Sequence, residues 1–81
     1  MIAKERVCIC VKFVDPARRG SPDRMIVAPG GRVAWVELKR PGGVVSPHQT
    51  RYIERLRALG HIAEVAWSAV DARLVVDEVT R

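Results

Sequence analysis

The chain has 81 residues, 48% of them hydrophobic and 28% charged, with a net charge of +5. That is globular composition, not that of a disordered tail, and the length leaves room for one small domain spanning residues 1–81. No apolar run approaches the roughly 20 residues of a membrane span, and the charged start Met1-Ile2-Ala3-Lys4-Glu5-Arg6 lacks the apolar stretch of a secretory signal. A chain this short buries only about 60% of the surface it exposes when unfolded, so a partner subunit would help it. The basic balance, with a pI near 10.0, favours polyanions, nucleic acid above all. Solubility alone is the plainer explanation of the same charge.

Arg6 to Val14 (R-V-C-I-C-V-K-F-V) is rich in β-branched and apolar residues and free of Gly and Pro, which predicts a strand. Its cysteines, Cys8 and Cys10, share a strand face about two rises apart, near the upper limit for a disulfide. They are also only half of a structural zinc site. They read as two small buried side chains in a reducing cytosol. Asp15-Pro16 ends the strand, and Ala17-Arg18-Arg19-Gly20-Ser21-Pro22 makes a basic loop.

Asp23 to Ala28 predicts a second strand, joined through the tight turn Pro29-Gly30-Gly31 to a third over Arg32–Lys39. Side chains alternate along that third strand. Ala34, Val36 and Leu38 form a purely apolar face that should pack on a helix. Val33, Trp35, Glu37 and Lys39 form the other face, which carries an acid and a lysine side by side. Arg40-Pro41-Gly42-Gly43 breaks the strand. Ser46-Pro47-His48-Gln49 is a strong helix start, with Ser46 as N-cap, Pro47 in the first helical position and Gln49 completing a capping box. The helix runs to about Leu59 with an apolar stripe of Tyr52, Ile53, Leu56 and Leu59, and Gly60 fits the C′ position. His61 to Trp67 reads as a fourth strand. Ser68, with Asp71 beyond it, starts a last helix to about Val79. The first three strands form a meander, and the third and fourth flank a helix, so they should be parallel.

The residues with chemistry to offer are Asp23, Glu37-Leu38-Lys39 and Gln49. Two carboxylates brought together at strand ends suit a hard divalent cation such as Mg²⁺, and the Leu38 carbonyl could add an oxygen. Lys39 could orient or deprotonate a water, or offset charge on a phosphorane-like transition state. Metal, lysine and water together are a means of phosphodiester hydrolysis. An isolated E-x-K is a common accident, and a charged strand pair usually lies on a solvated face. Here the pair continues a face begun by Val33 and Trp35.

Ser21-Pro22-Asp23-Arg24, Trp35-Val36-Glu37-Leu38-Lys39-Arg40-Pro41-Gly42-Gly43, Ser46-Pro47-His48-Gln49 and Leu56-Arg57-Ala58-Leu59-Gly60 occur in order with short gaps. Over about Lys12 to Ala72 the chain resembles the VRR-NUC nucleases of the PD-(D/E)xK superfamily, in their stand-alone phage and bacterial form. Pro22-Asp23 supplies the PD and Glu37-Leu38-Lys39 the ExK. The resemblance implies an α/β fold with a restriction-endonuclease-like mixed sheet, a β-meander followed by a βαβ crossover and a C-terminal helix. It implies Asp23 and Glu37 as metal ligands, Lys39 as the catalytic lysine and Gln49 as the helix glutamine of the site. It implies a Mg²⁺- or Mn²⁺-dependent DNA endonuclease, dimeric, acting on branched DNA such as four-way (Holliday) junctions in the cytoplasm of a bacterium or phage-infected cell. Gln49 keeps two candidate roles, cap and site. The family usually opens with an amphipathic helix bearing another acid. Here about five residues precede the first strand, Glu5 is the acid available among them, and dimerisation is favoured accordingly.

Arg18, Arg19, Arg24 and Arg40 lie close in sequence to the proposed site and could bind phosphates. As single residues they equally fit a solvated basic surface. His48 reads as a surface histidine and His61 as a turn residue, with Trp35 and Trp67 as core or interface. The alternative to an enzyme is a non-catalytic nucleic-acid-binding module that keeps the nuclease fold. A third reading is a purely structural subunit.

Overall fold

The structure is a computed structural model and describes residues 7–81. Glu5, and Arg6 at the head of the expected first strand, lie outside the described residues. Within them the elements are β1 (Ile9–Lys12), β2 (Arg24–Val27), β3 (Val33–Leu38), α1 (Pro47–Ala58), β4 (Ile62–Ala66) and α2 (Ala69–Val79). The sheet runs β1-β2-β3-β4 in both space and sequence. β1–β2 and β2–β3 are antiparallel, and β3–β4 is parallel across α1. This is the mixed sheet that the patterning predicts, a meander followed by a strand–helix–strand unit with a last helix.

Local chemistry explains the joints. The β2–β3 connection is a single 3-10 turn at Pro29–Gly31, closed by the Ala28 N–H donating to the Arg32 carbonyl at 2.8 Å. Gly30 and Gly31 take φ of +78° and +73°, which side chains disfavour. At the start of α1 the full capping box is present: the Ser46 hydroxyl accepts from Gln49 N–H, and the Gln49 side chain accepts from Ser46 N–H. At the start of α2 the Ser68 hydroxyl accepts from Asp71 N–H, and Asp71 in turn accepts from Trp67 N–H.

The two helices cover opposite faces of the sheet. Val75 and Val79 of α2 pack on Ile26, Ala34, Val36 and Ala66. Ile53 and Leu56 of α1 pack on Ala63, with Trp35, Tyr52 and Val65 at the margin. Burying each such aliphatic side chain contributes about 1.5–3 kcal/mol, so each helix is held by its few inward residues more than by its intrinsic propensity. Phe13 and Trp35 meet edge to face at 5.0 Å between ring centroids, and the Trp35 indole N–H donates to His61 Nδ1 at 3.3 Å. Trp35 is thus a packing residue, and His61 is more than a turn residue. No helix among the described residues is long and apolar enough to cross a membrane.

Four expectations need correction. The apolar face of β3 is covered only at Ala34 and Val36. Leu38 is 41% exposed because it ends the strand, where the opening of α2 leaves a groove rather than a closed layer. The α1 stripe closes at Leu56. Leu59 is 70% exposed because the helix ends at Ala58 and carries it past the sheet. Cys10 is exposed and Cys8 only half-buried, since β1 is an edge strand that neither helix roofs; both thiols are free. The strands are also a little shorter than predicted, β1 most of all, because pairing stops where the chain turns into the loop at Asp15.

Replacing Ser46 by Ala removes one half of the capping box. It should cost about 1 kcal/mol, read as a lower urea midpoint with an unchanged slope. An unmoved midpoint would show that the cap contributes nothing.

Candidate active site

The site forms where β3 runs out and α1 begins. Arg24 pairs with Val36 in the antiparallel register, so the next pair outward is Asp23 and Glu37. Pro22, fully buried, leads the chain into this position. The Asp23 carbonyl accepts from Phe13 N–H at 3.0 Å and from the Arg24 guanidinium at 2.9 Å. Its side-chain Oδ1 accepts from Leu38 N–H at 3.1 Å. Asp23 is thereby fastened to both neighbouring strands at their ends.

Glu37 is only 6% exposed, the one buried charged residue among those described. Its Oε2 accepts from Gln49 Nε2 at 3.2 Å and lies 3.6 Å from Lys39 Nζ. Burial raises the Glu37 carboxyl above its ordinary value, and the Asp23 charge raises it further. The Lys39 charge and hydrogen bond, and the Asp23 backbone N–H, oppose that rise.

Lys39 continues the parallel ladder by one residue, donating its N–H to the Ala66 carbonyl at 2.9 Å. The chain then reverses through Arg40–Gly43, closed by Gly43 N–H on the Arg40 carbonyl at 2.9 Å. Pro41 followed by Gly42 at φ +82° is the residue order of a type II turn. Gly43 rests against the Lys39 stem, and a Cβ there would come within 3.0 Å of the Arg40 carbonyl. Gln49 serves cap and site at once, because its Oε1 takes Ser46 N–H while its Nε2 gives to Glu37. The two candidate roles of Gln49 are the two ends of one amide.

Asp23, Glu37, Lys39, Gln49 and the Leu38 backbone are therefore gathered at the C-terminal end of β3, the usual place for a ligand in an open α/β sheet. The arginines scatter. Arg40 is exposed just beyond Lys39. Arg24 lines the apolar groove on the α2 side of the sheet, with its guanidinium on the Asp23 carbonyl. Arg18 and Arg19 flank α1, in a groove shared with His48, Arg51 and Arg55.

The donors offered to a cation are all oxygen. Two carboxylates and a strand-end carbonyl suit Mg²⁺ or Mn²⁺, which keep several waters and need few protein ligands. Among the described residues no group of three or more His, Cys, Asp or Glu is gathered, so softer cages are not offered. A cation beside Asp23 would also offset the repulsion that raises the Glu37 carboxyl.

Sequence reasoning missed the device that holds the basic loop. Asp15 accepts from Tyr52 Oη at 3.0 Å and from Ala17 N–H at 3.0 Å. Burial and this carboxylate push the Tyr52 hydroxyl above its usual value. Gly20, at φ +86°, lies so close to the first turn of α1 that a Cβ would sit 2.4 Å from the His48 carbonyl carbon. The Asp15-Pro16 pair and the Arg18-Arg19-Gly20 triplet signal a loop, but not which helix it meets.

Residues 11–70 match the profile of the VRR-NUC domain. A protein of Acyrthosiphon pisum secondary endosymbiont phage 1, named "Putative nuclease p44", is 51% identical over 53 residues, which is 65% of this chain and 57% of that protein. The chain thus spans little more than half the length of this curated relative. A solved structure titled "VRR_NUC domain" superposes with a TM-score of 0.77 at 28% identity, covering 91% of this chain and 82% of that one.

The raised Glu37 carboxyl has a signed consequence for stability. Below about pH 4.5, the ordinary value, Glu37 is protonated both folded and unfolded and costs nothing. As pH rises through the raised folded value, ionisation costs stability. Glu37→Gln escapes that cost. In EDTA, its Tm relative to wild type should therefore climb between about pH 4 and about pH 7. A flat or falling difference would contradict the assignment.

Proposed function

The chain belongs to the VRR-NUC domain family, and from that premise we propose that it is a metal-dependent DNA endonuclease. The observation that carries this reading is the buried Glu37 carboxylate, held by Lys39 and Gln49 and paired across the strand end with Asp23. The likeness to the phage nuclease and to the superposed VRR-NUC domain supports a nuclease.

Asp23, Glu37 and the Leu38 carbonyl would hold the Mg²⁺ or Mn²⁺. When bound, that cation supplies Lewis acidity to the scissile phosphate and to a water. The chain's own residues do the rest. Gln49 fixes the rotamer of Glu37 through its hydrogen bond to Oε2. Lys39, with its ammonium 3.6 Å from Glu37, places a positive charge where a phosphorane builds negative charge and can hand a proton to or from the attacking water. Arg40, exposed just beyond Lys39, takes a phosphate flanking the cut, Arg18 and Arg19 take phosphates farther along from the groove beside α1, and Arg24 braces the strand end that carries Asp23. We further propose branched DNA as substrate and a homodimer as the working form. A domain of this size presents one strand end per copy, and a junction offers two strands to cut.

One observation favours a second reading, a binding module that keeps the fold without cleavage. The described residues bring together two carboxylates rather than three. The test separates the two. With Mg²⁺ and a four-way junction, wild type should nick the substrate and Lys39→Ala should be slower by about 10²- to 10⁴-fold. Equal rates would sink the mechanism. Calorimetry with Mn²⁺ should show binding that Asp23→Asn abolishes, and that weakens as acid protonates Glu37. Junction binding with neither metal uptake nor cleavage would establish the binding module instead.

A further inference from the structure

A second concave surface lies on the far side of the first turn of α1. Its volume is about 530 Å³, and Arg18, Arg19, His48, Arg51, Tyr52 and Arg55 line it. The helical contribution follows from spacing, since 48, 51, 52 and 55 are successive neighbours along one helix face. Gln49, between them in sequence, points instead to Glu37. The groove and the candidate active site thus share one turn of helix.

Four arginines open onto this surface, and among the described residues none of the four is in an ion pair. Glu54 also borders the groove, but it neutralises none of them. Arg51 Nη2 lies 3.2 Å from His48 Nδ1. Arginine can only donate, so this nitrogen accepts, and the contact steadies the guanidinium. Arg18 and Arg19 are not on a loose loop. Asp15 is tied to Tyr52 Oη, and Gly20 abuts the backbone of His48 and Gln49. Four arginines against one bordering carboxylate, held in place with no ion pair among them, leave a net positive surface suited to an external anion.

We infer that this groove binds the sugar–phosphate backbone of a DNA duplex arm beyond the scissile phosphate, with Arg51 and Arg55 as its principal contacts. Three features select this occupant. Guanidinium forks match phosphate oxygens better than any other common surface anion. Arg51 and Arg55 are about one helical turn apart on one face of α1, roughly 6 Å along the axis, so their two guanidinium forks can reach neighbouring phosphates of one strand. The aromatic ring in the groove, Tyr52, is half-buried with its hydroxyl engaged by Asp15, so it offers no stacking platform for unpaired bases. Binding here is to backbone, and so is indifferent to base sequence.

The inference rests on the nuclease reading only for the identity of the polyanion, and the test keeps the two apart. Anisotropy titrations of a labelled duplex and a four-way junction are run in EDTA, on the Lys39→Ala background, between about 50 and 200 mM salt. Each lost phosphate contact should flatten the plot of log affinity against log salt by about 0.9. Arg51→Ala/Arg55→Ala should therefore flatten it by nearly 2, with at least a ten-fold loss of affinity for any sequence. Arg51→Lys/Arg55→Lys should restore most of the slope. Arg73→Ala, in the groove on the α2 side, should leave it unchanged. With Lys39 present, the alanine pair should raise KM for cleavage and leave kcat in place. An unaltered slope in the alanine pair overturns the groove, as does a wild type that binds no duplex. If wild type binds with the expected slopes but does not cut, the groove stands and the nuclease reading falls. If it cuts while the alanine pair keeps its slope, the groove alone falls.

Discussion

A carboxylate taken out of water must be compensated, and here that constraint organises everything at one end of the sheet. Glu37 has 6% of its surface left. Leaving it unpartnered would cost several kcal/mol. The compensation comes from two directions, Lys39 two residues on along its own strand and Gln49 from the following helix. Each donor in turn needs its own support. Lys39 is held by one more rung of the β3–β4 ladder and by the glycine turn behind its stem. Gln49 is held by the capping box. The compensation remains incomplete, as the raised carboxyl records.

The fold was legible because its signals are local and agree with one another. The parity of β3 predicts that the face of Ala34 and Val36 packs on a helix, and α2 covers it, while α1 packs on the face of Trp35. Ser46-Pro47-His48-Gln49 locates the start of α1 to the residue. What was misjudged lies at element ends. Leu38 and Leu59 continue their patterns in sequence, but pattern says nothing of where the opposing element stops. Cys8 and Cys10 looked like core because composition does not show that β1 is an edge strand.

The candidate site divides the same way. Asp23, Glu37 and Lys39 could be picked out because register and alternation bring them together. Gln49 looked like a choice between two roles because each was considered singly, while an amide has two ends. Arg51 and Arg55 draw their significance from Arg18 and Arg19, more than 30 positions earlier in the chain. Those are brought alongside by a half-buried tyrosine hydroxyl and a glycine against a helix backbone. Such a pairing is tertiary and leaves no periodic trace.

The Gln49 amide has a consequence for how this chain can change. Its oxygen faces a backbone N–H and its nitrogen faces a carboxylate, so the polarity of the group is dictated at both ends. Glutamate at this position would keep the helix cap and present a second negative charge to Glu37. Lysine would satisfy Glu37 and lose the acceptor that Ser46 N–H requires. Asparagine has the right groups and is one methylene too short to span both. Each of these three substitutions therefore separates helix initiation from electrostatic order at the strand end. The first turn of α1 can neither slide nor be re-registered without disturbing Glu37, which makes it a fixed hinge-point between scaffold and chemistry.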